Sequence, residues 1–448
     1  MKFPKFYQTK SVHFMLFFAF FGYSIFLKAQ TPYTLQDCFA VVYKNNLALK
    51  SALIDQKIAA IQWSSSKSRL LPTIAASVSN NNQWGRSIDP ETNSFINSKF
   101  LSLGGNLSSN LTLFSGFSKI NAVKIAKHDT EISKAAYQKL KNDLTIEIAS
   151  KYITILYLQE NQKSNQAQLN TLMKQLELVN LKFSTGYIAE NEVFKVKSQV
   201  ANQEVSLINI KNQINANYDD LKQMLHIPLI DSIILNTIVT ENPTILDLEQ
   251  YKLQNMEKAI FSNPSYLIAN LELQKAKINM AQSRAAFFPT LNANFGYGSN
   301  FSDSNTKYNL EQQLENNKNY GVYLSMSIPI FNRFQNSNNL KISQLNFQKA
   351  KLNTESSQNI VSKTVSQAIN DTKSSKMKYE AAKVAFEFSK KSYEADNLKF
   401  ELGKIDVNEI TITKNIFAEA QSELIKSKYE FYFNNALIRF YYQNVFEF

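Results

Sequence analysis

Glycine and proline are scarce, 10 and 9 in 448 residues, and they are clustered. After Gly116 the next glycine is Gly186 and the next proline is Pro228; after Pro329 the one such residue before the C-terminus is Gly403. Because these residues interrupt helices, two long tracts have almost nothing to break them. The single cysteine, Cys38, excludes an internal disulfide. It follows Leu35-Gln36-Asp37, too far from the N-terminal leader for lipid attachment, so a small buried packing residue is expected. The three histidines, His13, His128 and His226, are isolated, and HExxH, CxxC and glycine-rich phosphate loops are missing. This leaves no constellation for catalysis, a cofactor or a metal. His128 and His226 map to helix ends or surfaces. Asp219 and Asp220 are adjacent and point to different sides of a helix, which makes them solvated surface. Clustered Met, His or Cys residues for a soft-metal path are lacking too. The formal charge is +12, yet the lysines are scattered among Asn, Gln and Ser without arginine clusters or an aromatic platform. That excludes a nucleic-acid partner and reads as solvated surface.

What is present begins with a leader. Residues 1–30 carry Lys2, Lys5 and Lys10, an apolar run from Val12 to Leu27 and a small residue, Ala29, the order of a secretory signal cleaved near Ala29. A membrane anchor made of the same run stays open, since its length is at the upper end for a signal core. Removing these residues takes away four lysines and leaves +8. The 44% hydrophobic content excludes a wholly disordered chain.

The two unbroken tracts carry heptad spacing. Leu169, Leu172, Leu176, Val179 and Phe183 step by three and four, and Val193, Val196, Val200, Gln203, Leu207, Ile210, Ile214, Asn217 and Leu221 continue the alternation. So narrow a stripe is a coiled-coil seam, with Gln203 and Asn217 as polar residues that fix register. A continuous helix from Phe117 to Phe183 extends roughly 100 Å at ~1.5 Å per residue, more than a compact domain needs. Between the tracts the period changes to two. Tyr320, Val322, Leu324, Met326, Ile328 and Ile330 alternate with Gly321, Tyr323, Ser325, Ser327, Pro329 and Phe331, and Leu291, Ala293, Phe295 and Tyr297 do likewise. Ile74, Ala76 and Val78, then Leu107, Ser109, Leu111 and Leu113, give weaker versions. Two β-hairpins, 73–114 and 290–331, are expected.

The chain is also an internal repeat. KFSTGYIAENEV at 182–193 answers KFELGKIDVNEI at 399–410, and the same offset of 217 relates Pro72 to Pro289, Phe114 to Phe331, Gly186 to Gly403 and Asn191 to Asn408. Each half reads helix, strand, strand, long helix, glycine turn, long helix. The first repeat spans 31–226, a connector 227–255, and the second repeat 256–448. The fold class is therefore mostly α with a small β part: long antiparallel coiled-coil helices plus four strands per chain. Four strands cannot close a barrel, and open edges cannot remain in a bilayer or in water. Symmetric association resolves this; three copies give twelve strands, although the pattern itself does not fix the number three.

The order of elements, the tandem halves, TLQDCFAVVYKNNLAL at 34–49, the SRLLPT and SRAAFFPT junctions before strands, and the paired KFxxGxxxxNE tips resemble the TolC family of outer membrane efflux factors, over about residues 31–448. The resemblance implies a homotrimer with a twelve-stranded barrel in the lipid of a Gram-negative outer membrane and a helical tunnel in the periplasm. It implies partners, a periplasmic adaptor protein and an inner-membrane transporter, and the function of a passive conduit for small-molecule efflux. It further implies that the glycine-centred turns are the periplasmic tips, with Gly186, Tyr187, Ile188, Gly403, Lys404 and Ile405 as adaptor contacts. The plainer reading, that the glycines only permit a tight turn, stands beside it. Glu192 and Glu409, six residues past each glycine, would by the same resemblance form an acidic ring at the tunnel aperture. Alternatively each is a first-turn residue favoured by the helix dipole, with Asn191 or Asn408 near the cap. Lys195 and Ile412 stand about one turn on, where relatives carry an aspartate, which weakens any cation gate. Two other functions stay open, a type I protein-secretion conduit and a periplasmic coiled-coil scaffold without a pore; an apolar-faced strand at 320–330 is something a scaffold does not require. The terminal Phe448 resembles the end of barrel proteins, but its segment reads as helix and receives no role.

Overall fold

The computed structural model describes residues 32–88, 92–97, 99–237 and 254–448. The expected leader at 1–30 and residues 238–253 of the connector lie outside them. The chain begins with α1 (Leu35–Asn45), opened by a capping box in which the Thr34 hydroxyl accepts from the Asp37 amide and the Asp37 carboxylate accepts from the Thr34 amide. The Thr34 hydroxyl also donates to the Asp37 carboxylate at 2.6 Å, and this bond, with the one from the Thr34 amide, holds the Asp37 carboxyl below its ordinary pKa. Asn46 then caps α2 (Leu47–Ser68), and Asn263 caps α6 (Pro264–Ala285), which follows α5 (Gln254–Ser262) and has proline at its first position.

The two uninterrupted tracts are the long helices α3 (Ser118–Ser184) and α8 (Gln335–Glu401), of 67 residues each. At ~1.5 Å per residue each extends about 100 Å. Each turns at its glycine into a return helix, α4 (Glu190–Leu225) or α9 (Val407–Gln443). The halves keep register throughout: Leu47 and Pro264, Ser118 and Gln335, Ser184 and Glu401, and Glu190 and Val407 all stand 217 residues apart. Within the α3–α4 seam Val179 and Val196 are buried, and Gln203 donates to the carbonyl and the side-chain oxygen of Asn165 at 3.1 and 2.9 Å. That satisfied amide pair is a register device of the kind the sequence suggests. Phe183, assigned to the seam, is instead 41% exposed, whereas its counterpart Phe400 is 4% exposed, because the second tip folds its ring inward and the first does not.

The main core lies where α1, the middle of α3, the C-terminal end of α4 and the end of α9 converge, and it includes Cys38, Val42, Ile148, Ile155, Leu221, Leu225 and Ala436. Cys38 is fully buried, and burial pushes its thiol up to about 12, so it packs as the sequence predicts. The C-terminal residues have a role after all. Phe446 is buried against Phe39, Phe433, Phe440 and Phe448, while Phe448 stacks on Tyr152. His226 is the left-handed C-cap of α4. His128, expected at a helix end or on the surface, lies within α3, half-buried and 3.5 Å from Glu131.

The sheet contains β1 (Thr73–Gln83), β4 (Phe100–Ser115), β5 (Thr290–Ser302) and β6 (Asn319–Ser327), all antiparallel, in the spatial order β1-β4-β5-β6. The first hairpin carries a small ribbon of β2 (Arg86–Ile88) and β3 (Phe95–Asn97), and the second carries α7 (Leu310–Asn316); both lie in the connections between the strands of the expected hairpins. β6 ends at Ser327, so Ile328 and Ile330 belong to the link to α8 rather than to the strand. Pro329 explains this, since it has no amide to donate to a ladder.

Strand passes to helix in the same way twice. Gly116-Phe117 and Arg333-Phe334 all have positive φ, 61° and 68° in the first pair and 56° and 62° in the second. Each turn is clasped by an edge-to-face ring pair, Phe114–Phe117 and Phe331–Phe334, both with centroids 5.6 Å apart. Gly116 is required here, because a Cβ would sit 2.5 Å from the Ala285 carbonyl oxygen.

Candidate functional site

Two regions carry the functional geometry, the sheet at one end of the rods and the glycine turns at the other. In the sheet, register brings the sequence's alternation into one continuous surface. Ala76 lies opposite Leu107, Leu107 opposite Tyr297, and Tyr297 opposite Tyr320; Ala293 lies between Leu111 and Leu324. The other face collects Asn106, Asn110, Asn292 and Asn294 with Gly104, Gly296 and Gly298, and Asn110 donates to Asn294 across the β4–β5 pair. One face is thus fit for hydrocarbon and the other for water, as in a membrane-spanning β-sheet. The apolar face is uncovered within the chain: Val78 is 88% exposed and Leu324 69%. The outer edges of β1 and β6 have no strand beside them among the described residues. No described helix is long and apolar enough to cross a membrane.

At the far end both turns close by the same Schellman pattern. Gly186 donates to the Phe183 carbonyl and Tyr187 to that of Lys182, each at 2.9 Å; Gly403 donates to Phe400 at 3.0 Å and Lys404 to Lys399 at 2.8 Å. The glycines have φ of 76° and 74°, and nothing lies within 4 Å of an added Cβ, so backbone conformation alone calls for glycine. Ile188 and Ile405 pack against a shared apolar cluster of Val179, Val193, Val196, Phe400, Val407 and Ile410. Tyr187, 83% exposed, and Lys404, also exposed, project to solvent. The turns are thereby drawn together around a groove of about 930 Å³ that Tyr187, Ile188, Gly403, Lys404 and Ile405 line with Glu192 and Glu409.

Charge in this groove is arranged unequally. Glu192 is half-buried and held 2.8 Å from Lys195, which also donates to Asn408 of the other tip at 3.2 Å. Its second oxygen, Oε2, is buried and accepts no hydrogen bond. Glu409 is exposed at the start of α9. Glu192 and Glu409 lie in the first turns and Asn191 and Asn408 stand near the caps, as expected, but neither asparagine forms one: Asp406 caps α9 by accepting from the Glu409 amide at 2.9 Å, and Ala189, the residue before α4, offers no side-chain cap. That amide bond holds the Asp406 carboxyl below its ordinary pKa.

Three further residues couple the helical hairpins: Lys182, which opens the first tip motif, and Gln199 and Lys414, which belong to no motif. Lys182 donates to the Phe400 carbonyl at 2.8 Å with its ammonium 4.5 Å from the Phe400 ring centre. Gln199 donates to Thr411 at 3.1 Å and accepts from Lys414 at 3.0 Å. Burial pushes Lys414 down to about 8. Its place on the α9 stripe, four residues past the buried Ile410, is the signal that reading by residue type passed over.

A four-stranded sheet with one apolar and one polar face, borne on paired helical rods, defines a class of outer membrane proteins built as channels with helical extensions. The sequence profile of the outer membrane efflux protein family matches residues 41–225 and 255–439, and the chain belongs to that family. Outer membrane protein TolC of Vibrio cholerae is 22% identical over 405 residues, covering 89% of this chain and 87% of its own. Outer membrane protein TolC of Salmonella enteritidis is 22% identical over 333 residues, 73% of this chain, and the chain spans only 66% of that relative's length. Two solved structures are similar in fold: the outer membrane protein VceC of Vibrio cholerae (TM-score 0.82, 13% identity, 92% of this chain and 97% of that one) and the Campylobacter jejuni CmeC outer membrane channel (0.81, 16%, 92% and 86%). The protein resides in the outer membrane.

Proposed function

We propose that three copies assemble side by side, closing a twelve-stranded barrel in the outer membrane and a helical tunnel in the periplasm. The channel is the passive exit duct of a tripartite efflux pump. It catalyses no reaction, and energy comes from an inner-membrane transporter reached through a periplasmic adaptor. One observation carries this reading: β1 and β6 are open edges of a sheet whose apolar face is bare. In a bilayer each unpaired backbone group is unfavourable by several kcal/mol, and β6 of one copy beside β1 of the next satisfies both edges. Cysteines placed in pairs on β6 and β1 should cross-link into a ladder that stops at three, and the purified protein should conduct in planar bilayers. A ladder that ends elsewhere, or a silent bilayer, would overturn the assembly.

The glycine turns are the adaptor-docking tips in this reading. Gly186 and Gly403 set the turns, Ile188 and Ile405 anchor them, and Tyr187 and Lys404 offer the contacts. Glu192 and Glu409 would give a ring of six carboxylates at the aperture, supported by their shared groove and by the unbonded Glu192 Oε2. The double substitution Glu192→Ala and Glu409→Ala should relieve channel block by divalent cations; unchanged block refutes the ring.

A further inference from the structure

The charges are less evenly distributed than their scatter among polar residues suggests. On the helix side of the sheet, residues 56–72, 116–128, 273–289 and 328–354 contain thirteen lysines and arginines and not one aspartate or glutamate. That surplus exceeds the +12 of the entire chain. The first acids, Asp55, Asp129, Glu272 and Glu355, lie eleven to twenty residues along α2, α3, α6 and α8 from the junction, roughly 15–30 Å away. Three of the chain's five arginines stand at the junction itself: Arg69 caps α2, Arg284 is in the last turn of α6, and Arg333 holds the left-handed turn before α8. Lys67 joins them, 4.0 Å over the Trp63 ring. All four are exposed, and none makes an ion pair among the described residues. Immediately beside them Leu70, Leu71, Phe287, Phe288, Phe331 and Phe334 are exposed as well.

Unpaired guanidinium groups next to bare leucine and phenylalanine suit neither an aqueous bore nor a protein interior. They match a membrane surface, where phosphates meet acyl chains. We propose that Lys67, Arg69, Arg284 and Arg333 form a phospholipid-phosphate collar below the barrel, binding headgroups of the periplasmic leaflet and fixing the channel's height in the membrane. The apolar neighbours continue the lipid-facing surface of the sheet, and the arginine fork matches a phosphate better than an ammonium does. The inference rests on the orientation proposed above, with the long helices on the periplasmic side.

The test uses the full-length protein in detergent, titrated with phosphatidylglycerol, phosphatidylcholine or inorganic phosphate, with bound lipid counted by native mass spectrometry. One variant carries K67Q, R69Q, R284Q and R333Q. The other carries K124Q, K127Q, K349Q and K351Q, the same charge change further along the helices. The collar variant should retain phosphatidylglycerol more weakly by about fivefold per cation removed, while the distal variant and the parent behave alike. Conductance is recorded for both, so that loss of the channel is distinguished from loss of the collar. Equal retention by the collar variant and the parent, equal loss in the distal variant, or equally strong binding of inorganic phosphate overturns the proposal. So does a change in ion selectivity without a change in lipid retention, because the cations then face the bore.

Discussion

Arginine at Leu324 separates a lipid-facing sheet from a water-facing one. Leu324 is in the middle of β6, opposite Ala293, on the face that carries Tyr320, Val322 and Met326. In water, replacing an exposed leucine changes stability by no more than about 0.5 kcal/mol. Near the middle of a bilayer an arginine on the lipid face is unfavourable by about 2–4 kcal/mol. In three copies this becomes roughly 6–12 kcal/mol, comparable to the whole stability of a domain. Ser325 is one residue on, pairs with Asn292 and faces the opposite way. Ser325→Arg therefore meets water, and its effect should stay within about 1 kcal/mol. The assay is the fraction of heat-resistant oligomer recovered from outer membranes, together with urea unfolding of the protein in lipid vesicles. Leu324→Arg should deplete the oligomer and Ser325→Arg should not. Equal behaviour of the two, or an undiminished Leu324→Arg oligomer, would refute the assignment of faces.

Lys195→Met frees Glu192 of its 2.8 Å partner and makes the aperture more negative, so single-channel block by divalent cations should strengthen; unchanged or weaker block contradicts the arrangement. Lys414, 8% exposed, has its pKa depressed from 10.5 to about 8 by burial, so the unfolded chain holds more protons between those values and stability rises as pH climbs through that window. Lys414→Met should abolish the rise and add about 1–3 kcal/mol at pH 7, read as thermal unfolding at pH 7 and 9.5; a rise that persists in the variant rules Lys414 out as its source. Phe446→Ala empties the pocket between Phe39, Phe433 and Phe440 and should destabilise the chain by about 3–5 kcal/mol in urea, whereas a loss under 1 kcal/mol would mean that the C-terminal residues are dispensable.

Much of this architecture was legible because it rests on periodicity and on residues with strong backbone preferences. Scarce glycine and proline delimit α3 and α8, the alternation around Leu291 and Leu324 marks strands, and Gly186 and Gly403 mark the turns. What depends on three-dimensional company was not. Phe183 and Phe400 occupy equal places in equal motifs, yet only the second is buried, since Lys182 and the neighbouring tip enclose one ring and not the other. Asp406 outcompetes Asn408 as a cap because it lies at the residue before the helix, a difference of two positions that dipole arguments do not resolve. Phe446 gains its role from Phe39, more than 400 residues away in the chain. The acid-free zone was present in the sequence all along; it emerges only when 56–72, 116–128, 273–289 and 328–354 are known to share one level of the molecule.

Copy number and a bore are the central claims, and a single preparation tests both. The detergent-extracted protein should have the protein mass of three chains, and the same material in a planar bilayer should give discrete single-channel currents. A particle containing one chain, with no conductance under any applied voltage, would contradict the account.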